Sequence, residues 1–479
     1  MKTLKVDVAV IGAGSAGHVA YRTAKNAGAS TVIIEGGEYG TTCARVGCMP
    51  SKLLIAAADA AHAVHNAPAF GIHVEGAIRI NGRDVMNRVR RERDRFVGSM
   101  LRDILSFPEA DRIRGHASFV DNHTLQVDGH TRIIAKSIVI ATGSRPDHLD
   151  NLTELGDRLV TSDDVFSWHD LPQSVGVIGT GSIGLELGQA LHRLGVQVVV
   201  FGRGGRIGSL SDPEISGAAL GIFNEEFSLQ SDAQITSIQR EGAQVEIRYT
   251  DATGSPITQY FDYVLGATGR RPNVTDMGLD HTTLKLDGNG VPLFDPATAR
   301  TVSSEGNSPI FIAGDASNFI PLLHEAADEG RVAGSNAAHV ASGKQVNPGL
   351  RRARMAVIFT DPQIGIVGSG FHSLKPGSFM TGQASFEDQG RARIMLKNKG
   401  LLNVYADTFS GHLKGAEMLA PGAEHLTHLL CWALQNNMTV VEILKMPFYH
   451  PAIEEGLRTA LRDLHAKLRV TQAHTRKVA

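Results

Sequence analysis

The sequence predicts an α/β fold with two Rossmann-like dinucleotide-binding units and a separate α+β domain at the C-terminal end. Three observations carry this. A strand-like run at residues 6–11 (VDVAVI) enters Gly12-Ala13-Gly14-Ser15-Ala16-Gly17 and then a helical pattern. The arrangement recurs from Val175, where VGVIG enters Gly179-Thr180-Gly181-Ser182-Ile183-Gly184 and a second helical pattern. From about Pro348 the pattern changes to short strands and hairpins closed by two helices.

A chain of 479 residues is long enough for about three domains, each with its own core. The net charge of −2 and pI near 6.9 argue against a nucleic-acid binder or a polybasic membrane surface. Three cysteines do not make a disulfide scaffold and fit a reducing compartment. No apolar run approaches the length of a membrane span, and MKTLKVDVAVIGAG passes into a strand without a signal-peptide core. A soluble, cytoplasmic protein is expected, with no metal, no membrane and no nucleic-acid partner.

In the first unit the glycines permit a tight turn and close approach of a pyrophosphate, which the adjoining helix N-terminus stabilises. A second strand at residues 30–34 ends in Glu35, 23 residues after Gly12. An acid there can accept hydrogen bonds from ribose hydroxyls. A Gly-rich helix cap is the plainer alternative, but strand, loop, helix, strand and acid together favour a nucleotide.

Next comes GTTCARVGCMPSK, residues 40–52, with Cys43 and Cys48 five positions apart. In a regular helix such positions are about 7.5 Å apart along the axis and point to different sides. A disulfide needs Cα atoms about 4.4–6.8 Å apart, so pairing requires a bend, which Gly47 and Pro50 are placed to allow. Such a bond suits easy reduction and catalysis. Two unrelated thiols near a helix start remain the alternative on spacing alone.

An apolar helix (KLLIAAADAAHAVHNA) comes after it, then a charged one over residues 86–104 whose arginine run reads as a solvated face. Residues 113–127 read as a small β element, and 137–146 (SIVIATGSRP) as a strand running into a glycine turn. In the second unit, LELGQALHRLG is the helix and VQVVVF the strand, and VLGATGRRPN at 264–273 echoes ATGSRP. A duplicated unit implies two nucleotides, suiting one bound flavin and one diffusible nicotinamide. The copies differ where the count of 23 reaches Gly202, with Arg203 and Arg206 just beyond it. Without the acid, and with arginines able to take a 2′-phosphate, the residues lean to NADP(H), a solvated loop charge being the alternative. A third strand and turn (PIFIAGDA, 309–316) ends near Asp315, ahead of a helix rich in small residues. Cys431, inside the apolar HLTHLLCWALQNN, reads as a packing residue.

The ordered set of GAGSAG, the CxxxxC stretch with PSK, both ATG turns, AGDA and the C-terminal His450-Pro451-Ala452-Ile453-Glu454-Glu455 closely resembles the flavoprotein pyridine nucleotide-disulphide oxidoreductases. The resemblance covers nearly the whole chain. It implies an FAD-binding domain at 1–148, an NAD(P)-binding domain at 149–273, a central segment at 274–347 and an interface domain at 348–479 that makes a homodimer. By the same resemblance Cys43 is the interchange thiol and Cys48 the thiol beside the flavin. Lys52 lies near the flavin ring with Glu186 as its ion-pair partner, and His450 with Glu455 forms an acid/base dyad serving the partner subunit's disulfide. Pro451 is suited to the first turn of a helix that holds Glu455. The cofactor contacts implied across both nucleotides are Gly12, Gly14, Gly17, Glu35, Thr42, Lys52, His116, Ala117, Thr142, Gly143, Arg270, Gly314, Asp315, Leu323, His324, Gly179, Gly181, Ser182, Ile183, Gly184, Gly202, Arg203, Arg206 and Gly269.

Within the family, PSK after Cys48 and the absence of a cysteine pair in AHTRKVA match the dihydrolipoamide dehydrogenases best. The expected activity is dihydrolipoyl dehydrogenase, taking a small dithiol or a lipoyl group carried by another protein. Gly202-Arg203, Tyr449 before His450, and the Thr41-Thr42 and Ala44-Arg45 surroundings of Cys43 depart from that pattern. They point to the alternative, an NADPH-dependent reductase of another small disulfide. A redox-inactive flavoprotein scaffold and an NAD(P)H oxidase or quinone reductase would need neither both thiols nor the His–Glu dyad.

Overall fold

The computed structural model describes residues 1–147, 150–251 and 253–478; the boundary expected between residues 148 and 149 lies outside them. The chain divides into two compact units. One is Met1–Leu53 with Asn87–Asp147 and Gly269–Arg351, the other Leu54–Met86 with His148–Thr268 and Arg352–Ala479.

The first unit is built on a parallel sheet. The strands Arg112–Arg114, Thr31–Glu35, Lys2–Ile11, Thr131–Ile140 and Gly306–Ile312 lie side by side, and Arg300–Ser303 and Phe294–Asp295 extend it antiparallel. Val8, Ala9 and Val10 are wholly buried, as the unbroken apolar run requires of a strand covered on both faces. Ala117–Phe119 and Thr124–Val127 hang from Thr131–Ile140 as a small antiparallel ladder. The Ser15–Asn26 and Leu323–Ala341 helices cross closely because the second carries glycines. A Cβ at Gly330 or Gly334 would stand 2.3 Å from the Ala16 or Ala20 carbonyl oxygen. Arg88, Arg91 and Arg95 of the Gly82–Leu105 helix are exposed, as a solvated face should be.

The second unit repeats the parallel scheme with Ser228–Gln230, Gln197–Phe201, Ser174–Ile178, Tyr263–Gly266 and Leu159–Thr161. A three-stranded antiparallel sheet, Gln234–Glu241, Gln244–Thr250 and Pro256–Phe261, adds Tyr249 and Phe261 to the core, both edge-on to Phe201. Its C-terminal part is an antiparallel sheet in the order Met355–Ile358, Gln363–Gly368, Leu413–Ala420, Leu401–Asp407, Phe379–Ser385. The helices Ala423–Gln435 and Glu454–Val478 pack their apolar sides on it. Cys431 is buried there among leucines and alanines.

One expectation is corrected. Pro451 is not in the first turn of the last helix, which begins at Glu454; it stands three residues ahead, and the His450–Pro451 peptide is cis. Among the described residues no helix is long and apolar enough to cross a membrane.

Candidate active site

In the first fingerprint the three glycines have different reasons. A Cβ at Gly12 would lie 2.3 Å from the Ala141 carbonyl oxygen, and one at Gly17 1.9 Å from the Gly12 carbonyl oxygen, so strand and helix approach only because both are glycine. A Cβ at Gly14 would meet nothing within 4 Å. That open side, at the N-terminus of a 12-residue helix with no side-chain cap, is where an anion can reach the backbone N–H groups. Glu35 braces the turn: Oε2 accepts from the Ala13 N–H at 2.8 Å and Oε1 from the Gly37 N–H at 2.7 Å. His116 abuts this corner, its ring 2.4 Å from where a Gly36 Cβ would stand, and Ala117 begins the next strand.

Thr142 and Gly143 come after the strand beside Gly12. Their carbonyls accept from Asn273, the side-chain amide at 3.1 Å and the backbone N–H at 2.9 Å. The Thr142 hydroxyl is buried without a hydrogen-bond partner. Three distant segments then converge: Arg270 donates to the Ser144 hydroxyl at 2.9 Å and carbonyl at 2.8 Å, and that hydroxyl donates to Asp315 at 2.7 Å. Asp315 sits in a one-turn helix whose Gly314, at φ +69°, donates its N–H to Glu329 at 2.8 Å. Burial pushes the Glu329 carboxyl up, opposed by that hydrogen bond and by Arg351. Leu323 and His324 open the helix that carries Glu329 and are both exposed.

The cysteine stretch forms two helices, Thr42–Val46 and Cys48–Asn66, broken at Gly47. The glycine is required, since a Cβ there would press on the Thr42 carbonyl at 3.1 Å and the Cys43 Cα at 3.2 Å. The break turns Cys43 and Cys48 towards each other, so that the two side chains are hydrogen-bonded. Cys43 is half-buried and held as a thiol: the hydrogen bond to the Cys48 sulfur, then burial, push it far up. Pro50 does not make the bend; it lies inside the first turn of the second helix. Thr42 is exposed beside Cys43, and Lys52, one turn after Cys48, lies on the same helix face.

The second fingerprint repeats the first. A Cβ at Gly179 would lie 2.3 Å from the Ala267 carbonyl oxygen and one at Gly184 1.9 Å from the Gly179 carbonyl oxygen, while Gly181 faces open space. Ser182 and Ile183 form the first helical turn beyond it. Gly202 differs from Glu35: a Cβ there would stand 2.6 Å from the Ser231 carbonyl oxygen and 2.7 Å from the Thr180 methyl. Arg203 and Arg206 are exposed in the adjoining loop. Gly269, at φ +134°, ends the matching turn, and its carbonyl accepts from the Asp147 N–H at 3.0 Å. Glu186, buried on the 182–193 helix, accepts from the Phe359 N–H at 2.9 Å.

His450 and Glu455 are brought together. Nδ1 lies 3.0 Å from both carboxylate oxygens, and the Ala452 N–H donates to Oε2 at 3.2 Å. The imidazole hydrogen bond holds the Glu455 carboxyl below the usual carboxylate range. With Nδ1 engaged, Nε2 is the nitrogen left to exchange a proton, and His450 is 80% exposed.

The family model of the pyridine nucleotide-disulphide oxidoreductases matches residues 6–330, and that of their dimerisation domain matches residues 355–461. The chain belongs to this family. As a pyridine nucleotide-disulphide oxidoreductase it is 30% identical to a dihydrolipoyl dehydrogenase of Chlamydia muridarum over 460 residues, 94% of each chain. It is 31% identical to a mercuric reductase of Streptomyces lividans over 472 residues, 95% of each. Among solved structures, LpdA of Mycobacterium tuberculosis superposes with a TM-score of 0.81 at 24% identity over 96% of this chain and 99% of that one. The flavoprotein disulfide reductase RclA of Escherichia coli superposes with a TM-score of 0.78 at 20% identity over 96% and 99%; both share the fold.

Enzymes of this family use FAD and NAD(P)H, and this oxidoreductase has the cradles for two dinucleotides: two open central glycines, two uncapped helix N-termini and the orphaned Thr142 hydroxyl. Its dimerisation domain supports a homodimer. Nothing local in the sequence marks Ser144, Glu329 or Thr180 as part of the site. Ser144 stood inside ATGSRP and Thr180 inside GTGSIG, but nothing local marks a serine as the link between an arginine and an aspartate 126 and 171 positions away.

Proposed function

We propose that the protein is a dihydrolipoyl dehydrogenase, exchanging electrons between a dithiol substrate and NAD(P) through the Cys43–Cys48 pair and FAD. The observation that carries the reading is the contact between Cys43 and Cys48 across the Gly47 break. The dihydrolipoyl dehydrogenases among its relatives, the His450–Glu455 pair and the retained Lys52 and Glu186 support it. The first unit takes FAD, with Glu35 at the ribose and Asp315 at the ribityl chain; the second takes the nicotinamide nucleotide.

The protein's own groups account for the thiol chemistry. With the cysteines oxidised, a substrate thiolate attacks Cys43, forming a mixed disulfide and releasing Cys48 as a thiolate. The second substrate thiol loses its proton to Nε2 of the partner's His450 and attacks the substrate sulfur of the mixed disulfide, expelling Cys43. Two electrons now rest on the cysteine pair, and the product is a cyclic disulfide. Glu455 fixes the imidazole through Nδ1 and stabilises its protonated form. Bound FAD supplies the two-electron relay from the cysteine pair to NAD(P)+. The lipoyl group arrives on another protein, and the setting is the cytoplasm.

A second reading has a specific observation behind it. At Gly202 there is no space for the acid that would select NAD, and Arg203 and Arg206 stand exposed beside it. That favours NADPH and, with Tyr449 next to His450, reduction of another small disulfide. Steady-state turnover with lipoamide and dihydrolipoamide, each with NAD(H) and NADP(H), separates the two. Fast turnover with NAD supports the dehydrogenase; activity with NADPH alone and poor use of lipoamide sinks it.

A further inference from the structure

Glu417 is a fully buried carboxylate in the strand Leu413–Ala420 that the thiol chemistry does not use. Its Oε2 accepts from the Ser211 and Asp212 N–H groups at 2.7 and 2.9 Å. Its Oε1 accepts from the Phe371 N–H at 2.8 Å and from the Ser211 hydroxyl. Burying a charge in this way is tolerable only because each oxygen has two donors. Asp212 continues the network: Oδ1 caps the Pro213–Asn224 helix at the Glu214 N–H, and Oδ2 accepts from Asn403 at 2.8 Å and the Tyr405 hydroxyl at 2.7 Å. Burial, then the Glu417 charge, push the Tyr405 phenol far up, so it stays a donor.

Ser211 and Asp212 close the loop that opens at Gly202. At its start the Gly204 N–H donates to Asp232 at 2.7 Å and the Gly205 N–H to the Ser231 carbonyl at 3.1 Å. In its middle the Thr180 hydroxyl donates to the Arg206 carbonyl at 2.6 Å, and the Gly208 N–H to the Thr180 carbonyl at 2.7 Å. These fastenings belong to the parallel sheet and its fingerprint. The one at the end belongs to the C-terminal antiparallel sheet. Arg203 stands just ahead of the first of these fastenings and Arg206 between those at Gly205 and Gly208, and both side chains are exposed.

We propose that Glu417 is a positioning residue for the nicotinamide nucleotide, fastening the 202–212 loop to the C-terminal sheet so that Arg203 and Arg206 meet the ribose–phosphate end already in place. Ordering a loop at the moment of binding costs affinity, and a preformed loop avoids that cost. The proposal rests on the reading that the second unit takes the nicotinamide nucleotide.

The test is anaerobic reduction of the protein-bound flavin by NADPH and NADH in full-length holoenzyme, which needs no disulfide substrate. In Glu417→Gln, an amide NH2 faces two donors where an oxygen accepted them. The apparent Kd for the reducing nucleotide should rise about tenfold, with the limiting rate within about twofold of wild type and the disulfide KM unchanged. Ser211→Ala, which removes one donor and leaves the carboxylate, should raise the Kd about two- to threefold, and decides the matter if Glu417→Gln does not fold. A lowered Tm with unchanged nucleotide Kd overturns the proposal, making Glu417 a structural brace only. Wild-type flavin reduced by neither nucleotide removes the reading of the second unit, and this role with it.

Discussion

The two nucleotide units crowd their glycines alike and are opposite at the ends of their second strands. A Cβ at Gly12 or Gly179 would meet an alanine carbonyl oxygen at the same 2.3 Å, and one at Gly17 or Gly184 the preceding turn at the same 1.9 Å. The first strand–helix–strand then ends in Glu35, which hydrogen-bonds back to its own turn; the second ends in Gly202, walled in by Ser231 and Thr180. The shared part is a backbone device that any dinucleotide can use. The divergent part is the one that, on the proposed function, would meet the ribose. The two copies thus share the backbone geometry of the turn and differ in the side chain that closes it.

The strongest way to break the comparison is to damage each copy in turn. Gly17→Ala should yield protein without flavin, because the added methyl overlaps the Gly12 carbonyl. Gly184→Ala should keep its flavin absorbance and lose bleaching by NAD(P)H. The reverse pattern would exchange the two assignments. Neither glycine fingerprint takes part in the proposed proton transfer to the thiols, so His450→Gln should cut dithiol turnover about 10²–10⁴-fold. Flavin reduction by nucleotide, measured by stopped flow, should stay as in wild type; a parallel fall in both would remove His450 from the thiol step.

The divergent ends give smaller effects. Arg203→Ala should raise the KM for NADPH about tenfold and leave that for NADH within about twofold, as loss of a charge-assisted contact to a phosphate would. Gly202→Glu should not convert the protein to NAD use. Its Cβ overlaps the Ser231 carbonyl, and the expected result is a lower Tm, from about 1–3 kcal/mol of strain. A gain in NADH efficiency in that variant would show that the wall at Gly202 yields.

The smallest effect concerns the start of the first unit. The Lys136 ammonium and the Ser30 hydroxyl and N–H hold Asp7 at a pKa of about 2, below its ordinary value of 3.8. Its folded pKa being the lower one, the stabilisation is full above about pH 4 and fades as pH falls towards 2. Asp7→Asn should lower Tm at pH 7 by an amount worth less than about 1 kcal/mol, since the pair is solvent-screened, and the difference should close by about pH 2–3. A gap that widens on acidification would contradict this.

Features legible in the sequence lie within short windows. The fingerprints, Glu35, the cysteine pair with its glycine and the His450–Glu455 spacing each involve residues fewer than about 25 positions apart, where strand and helix periods dictate which side chains meet. Pro451 falls outside the helix even so, because the usual preference for proline in a first turn does not tell a helix start from the loop three residues before it. The arginine run of residues 88–95 and the burial of Cys431 were readable, since composition and apolar period decide exposure.

By itself, then, the sequence determined the α/β class, the duplication and the family, because local pattern and motif order are enough for those. Tertiary structure alone decided that Ser144 joins Arg270 to Asp315, that Gly202 has no space for an acid, and that Glu417 holds Ser211 from 206 positions away. Each of these depends on where a carbonyl or carboxylate from a remote strand comes to lie. That position is set by packing the sheets and helices together, and no spacing along the chain encodes it.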